Sequence, residues 1–452
     1  MSTAIEKEEG ILKKRGTFVI VICFIILLPF TAYADREQTV DVLVQTGDTL
    51  ITICEKHLEI PGKWREIAKI NELDNPDLIY PGTTLVIPVR LLKAASSEGI
   101  ASFVKGNVQH QPRGSDTWVP LRLNDRVDEG SRIKTGDESG VEIVFSDGNS
   151  ILQRSNTILG ISSARKYPDN QTSYGLIQET GRTITKIKQK TGSESRFRID
   201  TPSAICAARG TEFRTSIDAV NSTRTEVVEG NVDVEALKKK VTVQEWEGTL
   251  VKKGEKPLEP RKLLLPPSPQ NILPLYKSVP FEIMFGQIRE AVAYRAIMAK
   301  DSDFKDIVKE QVIEPGDPFT VYVSEDGTYF LASRSIDSLG LEGLPSETVS
   351  LKVRMSPIPP IIVSPVSNTR YFDDVPRFEW LAVQEAEKYH LQVAEDRTFA
   401  KVVVDQQALS DTKYEPGQFE PGTYYFRIRS VGSDGYEGGW SDILSFTIVL
   451  NR

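Results

Sequence analysis

The stretch "VQTGDTLITICEKHLEIPGKWREIAKINELDNPDLIYPGTTLVIP", residues 44–88, decides the first part of the fold. Val42 and Val44 alternate with polar residues, the period of two that marks a strand. Gly47 then permits a tight turn, and Asp48 or Thr49 can cap a helix by accepting from its unpaired N–H groups. Leu50, Ile53, Cys54 and His57 recur at i, i+3, i+4 and i+7, one face of that helix. Pro61 and Gly62 interrupt it. Trp64, Ile67 and Ala68 share a face of a second helix that should end near Asn71. A loop, "NPDLIYPGTT", closes on a Pro-Gly turn, and Leu85 and Ile87 alternate in a last strand. The predicted order is strand, helix, helix, strand.

That order, with V-x-x-G-D-T-L, N-x-L, N-P-D-x-I-x-P-G and L-x-I-P, resembles the LysM domain across residues 40–89. The resemblance implies binding of N-acetylglucosamine-containing glycan, peptidoglycan above all and chitin in some lineages. It places the sugar in a shallow groove between two loops. Gly47, Asp48 and Thr49 match one loop; Asn75, Pro76, Asp77, Leu78 and Ile79 match the other. Helix starts and loops keep backbone N–H and C=O groups free for hydroxyls and amides. Leu78 and Ile79 can offer an apolar patch to an acetyl methyl. Bland roles stand beside these: Asp48 and Thr49 serve equally as helix caps, Pro81 and Gly82 as a turn, His57 as a helix-face residue. Trp64 reads as core more readily than as a sugar platform. With a single such module, avidity within the chain is not available.

At 452 residues the chain is too long for one core. Residues 98–251 are β-rich, with short strands between Gly-Asp, Asp-Gly and Glu-Gly turns. "VKGNVQ" near residue 104 is faintly echoed by "VEGNVDV" at 228. "TPSAICAARGTEF" and "VVEGNVDV" are similar to characteristic pieces of the FecR family, which implies a periplasmic setting. FecR transducers span the membrane and carry a cytoplasmic segment that controls a sigma factor; here only 16 residues precede the apolar run. Arg196, Arg198, Arg209 and Arg214 read as a solvated strand face before an anion site.

Residues 252–274 are proline-rich and predict a semi-rigid spacer. Residues 275–354 and 358–450 then repeat each other at an offset of 95: "YRAIMAKDSDF" against "YHLQVAEDRTF", and "GTYFLASRSIDSLGLEG" against "GTYYFRIRSVGSDGYEG". Trp380, Tyr389 and "GGWSD" in the second copy resemble a fibronectin type III domain. The first copy diverges, with Pro345 at the place of Trp440. The expected fold class is therefore multi-domain and mainly β: a small βααβ module, a β-rich domain and two C-terminal β-sandwiches.

Lys13, Lys14 and Arg15 precede apolar residues 17–30, and Ala32, Tyr33 and Ala34 form an A-x-A cleavage pattern, so residues 1–34 read as a signal peptide. The run falls short of the about 20 residues of a membrane span. The expected location is the periplasm or cell envelope, with anchoring if the signal stays uncleaved. Cys54 and Cys206 fall in separate domains and are expected to be buried thiols, with a disulfide as the alternative. Three distant histidines offer no metal site, and a net charge of −8 disfavours nucleic acid. No nucleophile or phosphate-loop motif has supporting context. The sequence thus predicts a non-catalytic peptidoglycan-binding envelope protein without cofactor, metal or catalytic residues. Its β domains would face an unidentified envelope protein. A FecR-type signal transducer is the alternative, followed by a cell-wall hydrolase or its activator.

Overall fold

In the computed structural model, residues 39–167, 171–188, 195–372 and 375–449 are described. The signal read at residues 1–34 lies outside them. The N-terminal module has β1 (Thr39–Leu43), α1 (Leu50–His57), α2 (Trp64–Ile70) and β2 (Thr84–Pro88). β1 and β2 pair antiparallel, Val42 opposite Leu85. Leu50, Ile53, Cys54, Ile67, Ala68, Leu85 and Ile87 meet in one core, as the helical and strand periods predict, while His57 stays half-exposed. The core continues past β2: Val89, Leu91 and Leu92 are buried in it, Leu92 bridges to Leu58, and the Lys93 N–H donates to His57 O at 2.7 Å. Trp64 is half-buried against this core, with the Arg65 guanidinium 4.5 Å above its ring.

Immediately afterwards, Ala95–Ser96 pairs with Ile158–Lys166 and opens a closed barrel that runs to Arg261–Lys262. Its spine is the 15-residue strand Thr172–Lys186. The first half of this strand pairs with Ile158–Lys166 and, in parallel, with Ser195–Asp200. The second half pairs antiparallel with Ser150–Gln153 and Glu212–Ile217. The change of partners falls at Gly181, whose φ is +85°. A Cβ there would lie 2.2 Å from Thr157 Oγ1, so only glycine fits the bend. Tyr174 stacks against Phe145 and Phe197 in a single core beneath both halves.

Two sandwiches follow. The first packs Pro269–Gln270, Phe281–Phe285 and Phe319–Val321 against Ile307–Ile313, Ala293–Ala299, Gly327–Ile336 and Val349–Val353. The second repeats this as Ile362–Ser364, Phe378–Trp380 and Lys413–Tyr414 against Val402–Leu409, Lys388–Ala394, Gly422–Val431 and Leu444–Val449, with Thr369–Phe372 added in parallel. Three strands facing a four-stranded sheet is the fibronectin III arrangement. The 95-residue repeat holds bond for bond. Ile288 N–H donates to Tyr294 Oη as Val383 N–H does to Tyr389 Oη. Tyr329 donates to Glu325 O as Tyr424 does to Glu420 O.

Residues 252–274, expected to be a semi-rigid spacer, are laid down on both neighbours. Arg261–Lys262 pairs with Glu247–Val251, Pro269–Gln270 pairs with Phe281–Phe285, and Ser333 and Ser335 donate to Pro267 O and Leu265 O. Prolines exclude a sheet interior but accept such edge positions, because their carbonyls still take hydrogen bonds.

Barrel and first sandwich meet over a buried charge cluster. Glu342 Oε1 accepts from Arg295 Nε at 2.6 Å and from Arg182 Nη1 at 3.3 Å; Oε2 accepts from Arg334 Nη1 at 3.3 Å. Its N–H donates to Glu226 Oε1, and its C=O accepts from Arg214 at 2.6 Å. Glu310 takes Arg182 and Arg295 at 2.6 and 2.8 Å. Arg214 therefore turns away from Arg196, Arg198 and Arg209, with which sequence proximity had grouped it. Burial works to raise the Glu342 pKa, but Arg295, Arg182, Arg334 and Arg214 hold the carboxyl well below its ordinary range. Glu226 is the reverse: burial pushes it from 4.5 to about 7 against the pull of Arg214.

Removing Glu342 leaves Arg334 without a carboxylate partner and Arg182 and Arg295 with Glu310 alone, a change of roughly 3–5 kcal/mol. Glu342→Ala should lower the denaturation midpoint of the barrel and first sandwich together and open residues 252–274 to protease. A midpoint equal to that of the native protein would contradict the cluster's role. Glu226 has a folded pKa above its unfolded value, so its contribution to stability is full below pH 4.5 and is lost as pH rises through about 7. Glu226→Gln keeps an acceptor for the Glu342 N–H and should flatten that decline in thermal unfolding; parallel pH profiles for both proteins would refute it.

Candidate functional site

Thr49 is the N-cap of α1. Its Oγ1 accepts from Thr52 N–H at 3.1 Å, and Thr52 Oγ1 accepts from Thr49 N–H at 2.9 Å, a capping box built from two threonines. Asp48 caps the preceding turn instead: Oδ2 accepts from Gln45 N–H at 2.8 Å. Gly47 makes that turn with φ +92°. On the second loop, Asn75 Oδ1 accepts from Asp77 N–H at 3.0 Å and Asn75 O from Leu78 N–H at 3.1 Å, so an Asx turn lies inside a β-turn.

Val44 joins the approach to the first loop to the Pro-Gly turn that follows the second. Its N–H donates to Thr83 O and its C=O accepts from Gly82 N–H, both at 2.9 Å, which seats the Pro-Gly turn beside the start of the first loop. Gly47, Thr49, Asn75, Asp77 and Leu78 are exposed, with Leu78 at 54%. Asp48 and Pro76 are half-buried, and Ile79 packs against the module's core. Ile79 is thus more anchor than contact surface. Tyr80, 59% exposed beside Leu78, is a surface aromatic that the motif reading passed over.

Asn71 ties the end of α2 to β2. Its Nδ2 donates to Ile67 O and Val86 O, and its Oδ1 accepts from Val86 N–H at 2.6 Å. An amide side chain thereby takes the place of a third strand beside β2. A separate cleft of about 530 Å³ runs along β1 and α1, lined by Val42, Gln45, Lys56, His57 and Lys93, and touches the predicted groove only at Asp48. Burial and the neighbouring Lys56 lower the His57 pKa from its ordinary value.

Elsewhere, Cys54 and Cys206 are unpaired, and burial pushes both thiols up to about 11, far from nucleophilic range. His390, 3% exposed, has both ring nitrogens committed: Nε2 lies 2.6 Å from Asp405, and Nδ1 lies 2.8 Å from Arg429. Among the described residues, no group of three or more His, Cys, Asp or Glu could hold a metal. No described helix is long and apolar enough to cross a membrane.

Residues 42–88 match the LysM domain family, and the βααβ module is a LysM domain. Residues 131–233, inside the barrel, match the FecR protein family. One chain therefore joins a LysM domain, a FecR domain and two fibronectin III-like sandwiches, all non-catalytic kinds of domain. No curated protein matches it. Among solved structures it is similar to a candidate anti-sigma factor of Parabacteroides distasonis (13% identity, 29% of this chain, TM-score 0.24). The chain spans 59% of that protein's length. It is also similar to the FN1–FN3 domains of chicken CNTN1 (12% identity, 60% of this chain and 98% of that one, TM-score 0.24). A third likeness is to the fibronectin(III)-like modules of Clostridium thermocellum CbhA (11% identity, 41% and 94%, TM-score 0.21). At these scores none of the three bears on activity or partners.

Asn71→Ala would strand the Val86 N–H and C=O, a loss of about 2 kcal/mol. Amide exchange at Val86 should speed up roughly thirtyfold while the barrel amides stay unchanged; unaltered exchange would show that β2 does not depend on Asn71.

Proposed function

We propose that this is a non-catalytic cell-envelope protein held to peptidoglycan by its LysM domain. N-acetylglucosamine-containing glycan would lie across Gly47, Asp48 and Thr49 on one side and Asn75, Pro76, Asp77, Leu78 and Ile79 on the other. The FecR domain and its sandwiches would face an envelope protein. The observation that carries this reading is the LysM match over 42–88, supported by the Pro-Gly turn after the second loop being bonded to Val44, ahead of the first. The local chemistry supports it. Among the described residues, none accepts from the N–H of Gly47 or of Ile79, leaving both for sugar hydroxyls and acetamido carbonyls. Leu78 and Tyr80 add exposed apolar surface for an acetyl methyl and a sugar face. An exported chain, as residues 1–34 predict, would meet this polymer outside the cytoplasm.

The FecR match favours a second reading, in which the barrel relays an envelope signal and the LysM domain serves only as its anchor. Both readings need the wall contact.

Co-sedimentation with purified sacculi tests it. Mature protein should pellet, whereas a form lacking residues 35–92 should stay in solution. Asp77→Ala with Leu78→Ala changes two exposed side chains without touching the core and should reduce pelleting about tenfold or more. Equal pelleting of all three, or of none, would remove the tether.

A further inference from the structure

The cavity between the barrel and the first sandwich has walls that are mostly cationic. It encloses about 240 Å³, and Lys105, Arg154, Arg182, Arg295, Lys305 and Lys309 line it, opposed by Glu310 and by Glu138 at the exposed rim. Four of those cations have carboxylate partners: Lys105 with Asp306, Lys305 with Glu142, and Arg182 and Arg295 with Glu310 and Glu342. The other two do not. Arg154 is 6% exposed, and the one hydrogen bond of its side chain among the described residues runs from Nη1 to the Phe304 carbonyl at 2.7 Å. Asp301, the further acidic group near it, already accepts from the N–H groups of Lys305 and Asp306. Lys309 is half-buried on Ile307–Ile313, and its ammonium has no hydrogen bond or ion pair among the described residues.

The deficit extends behind the wall. The Nε atoms of Arg214 and Arg334 are buried without an acceptor. Glu342 is shared by Arg182, Arg295 and Arg334, and Glu310 by the first two of these; with Arg154 and Arg214, five buried or half-buried guanidiniums face the three carboxylates Glu226, Glu310 and Glu342. A buried cation without a counter-charge is strongly unfavourable. Burial accordingly lowers both Arg154 and Arg334 to about 10.

We infer that this cavity binds a small, multiply charged oxyanion, which accepts from Arg154 and Lys309 and completes the charge balance of the interface. Guanidinium groups match the paired oxygens of phosphate and carboxylate alike, so the two share one recognition chemistry. The cavity has room for a small organic anion. Ile307 and Val308 offer a carbon skeleton an apolar side. Because the walls come from two domains, the occupant stabilises their docked arrangement by mass action. The site is separate from the LysM groove and stands or falls independently of it.

Full-length mature protein, exchanged into phosphate- and carboxylate-free buffer, would be titrated calorimetrically with inorganic phosphate, pyrophosphate and succinate. At least one probe should bind at one per chain and raise the unfolding temperature of the barrel and first sandwich. A response to the phosphorus anions alone assigns a phosphate ligand; a response to succinate alone assigns a carboxylate. Lys309→Gln alters a side chain bonded to nothing, so it leaves the fold intact, and it should weaken binding tenfold or more. Arg154→Gln should abolish binding. No heat from any probe, or an affinity unchanged in Lys309→Gln, would overturn the site.

Discussion

Glu342 meets the barrel with its backbone and its side chain at once, and the arrangement of barrel and first sandwich follows from that. Its N–H reaches Glu226, its carbonyl receives Arg214, and its carboxylate gathers Arg182 from the barrel with Arg295 and Arg334 from the sandwich. A buried ionic cluster adds little stability over a well-packed apolar patch of the same size, but its geometry admits very few registers. The next residue shows how closely the surfaces fit. A Cβ on Gly343 would fall 2.4 Å from Leu264 O, so a side chain there would force the connecting segment off the sheet.

The repeat explains why this face was available for docking. At the 95-residue offset, Arg295, Glu310, Arg334 and Glu342 of the first sandwich correspond to His390, Asp405, Arg429 and Glu437 of the second. The pairs recur: Arg295 with Glu310 as His390 with Asp405, and Arg334 with Glu342 as Arg429 with Glu437. The cover differs. In the second sandwich Trp440 lies over the cluster, 4.2 Å from Arg427, 4.3 Å from Arg429 and 4.9 Å from the His390 ring. In the first, Pro345 stands at that position and supplies no such ring. The barrel covers the cluster instead. One polar motif thus has two solutions, a cation–π lid or a second domain.

How much of this could be read beforehand depended on how local each determinant was. The LysM domain was legible almost entirely, because its helix faces, its cap at Thr49 and its turns at Gly47 and Asn75 are set within a few residues. The same holds for the sandwiches, where the repeat doubles a strand period of two. The role of Asn71 was missed because its partner, Val86, lies 15 residues away on another element. The docking of barrel and sandwich was illegible in principle: Arg182 and Glu342 are 160 residues apart, and Arg214 and Glu342 are 128. Proline content suggested a semi-rigid spacer over 252–274, since composition reports where a chain cannot be helix or inner strand and not what it can lie against.

The passage from the LysM domain to the barrel has a mechanical meaning. Lys93 is bonded back to α1, and Ala95 is already paired in the barrel, which leaves Ala94 as the whole joint. A single residue spans at most about 3.6 Å, so a pull on a sugar-bound LysM domain finds no slack chain to draw out. Tension would arrive at Ala95–Ser96 and Ile158–Lys166 as a load on hydrogen bonds, with the barrel edge rather than a linker as the first element to yield.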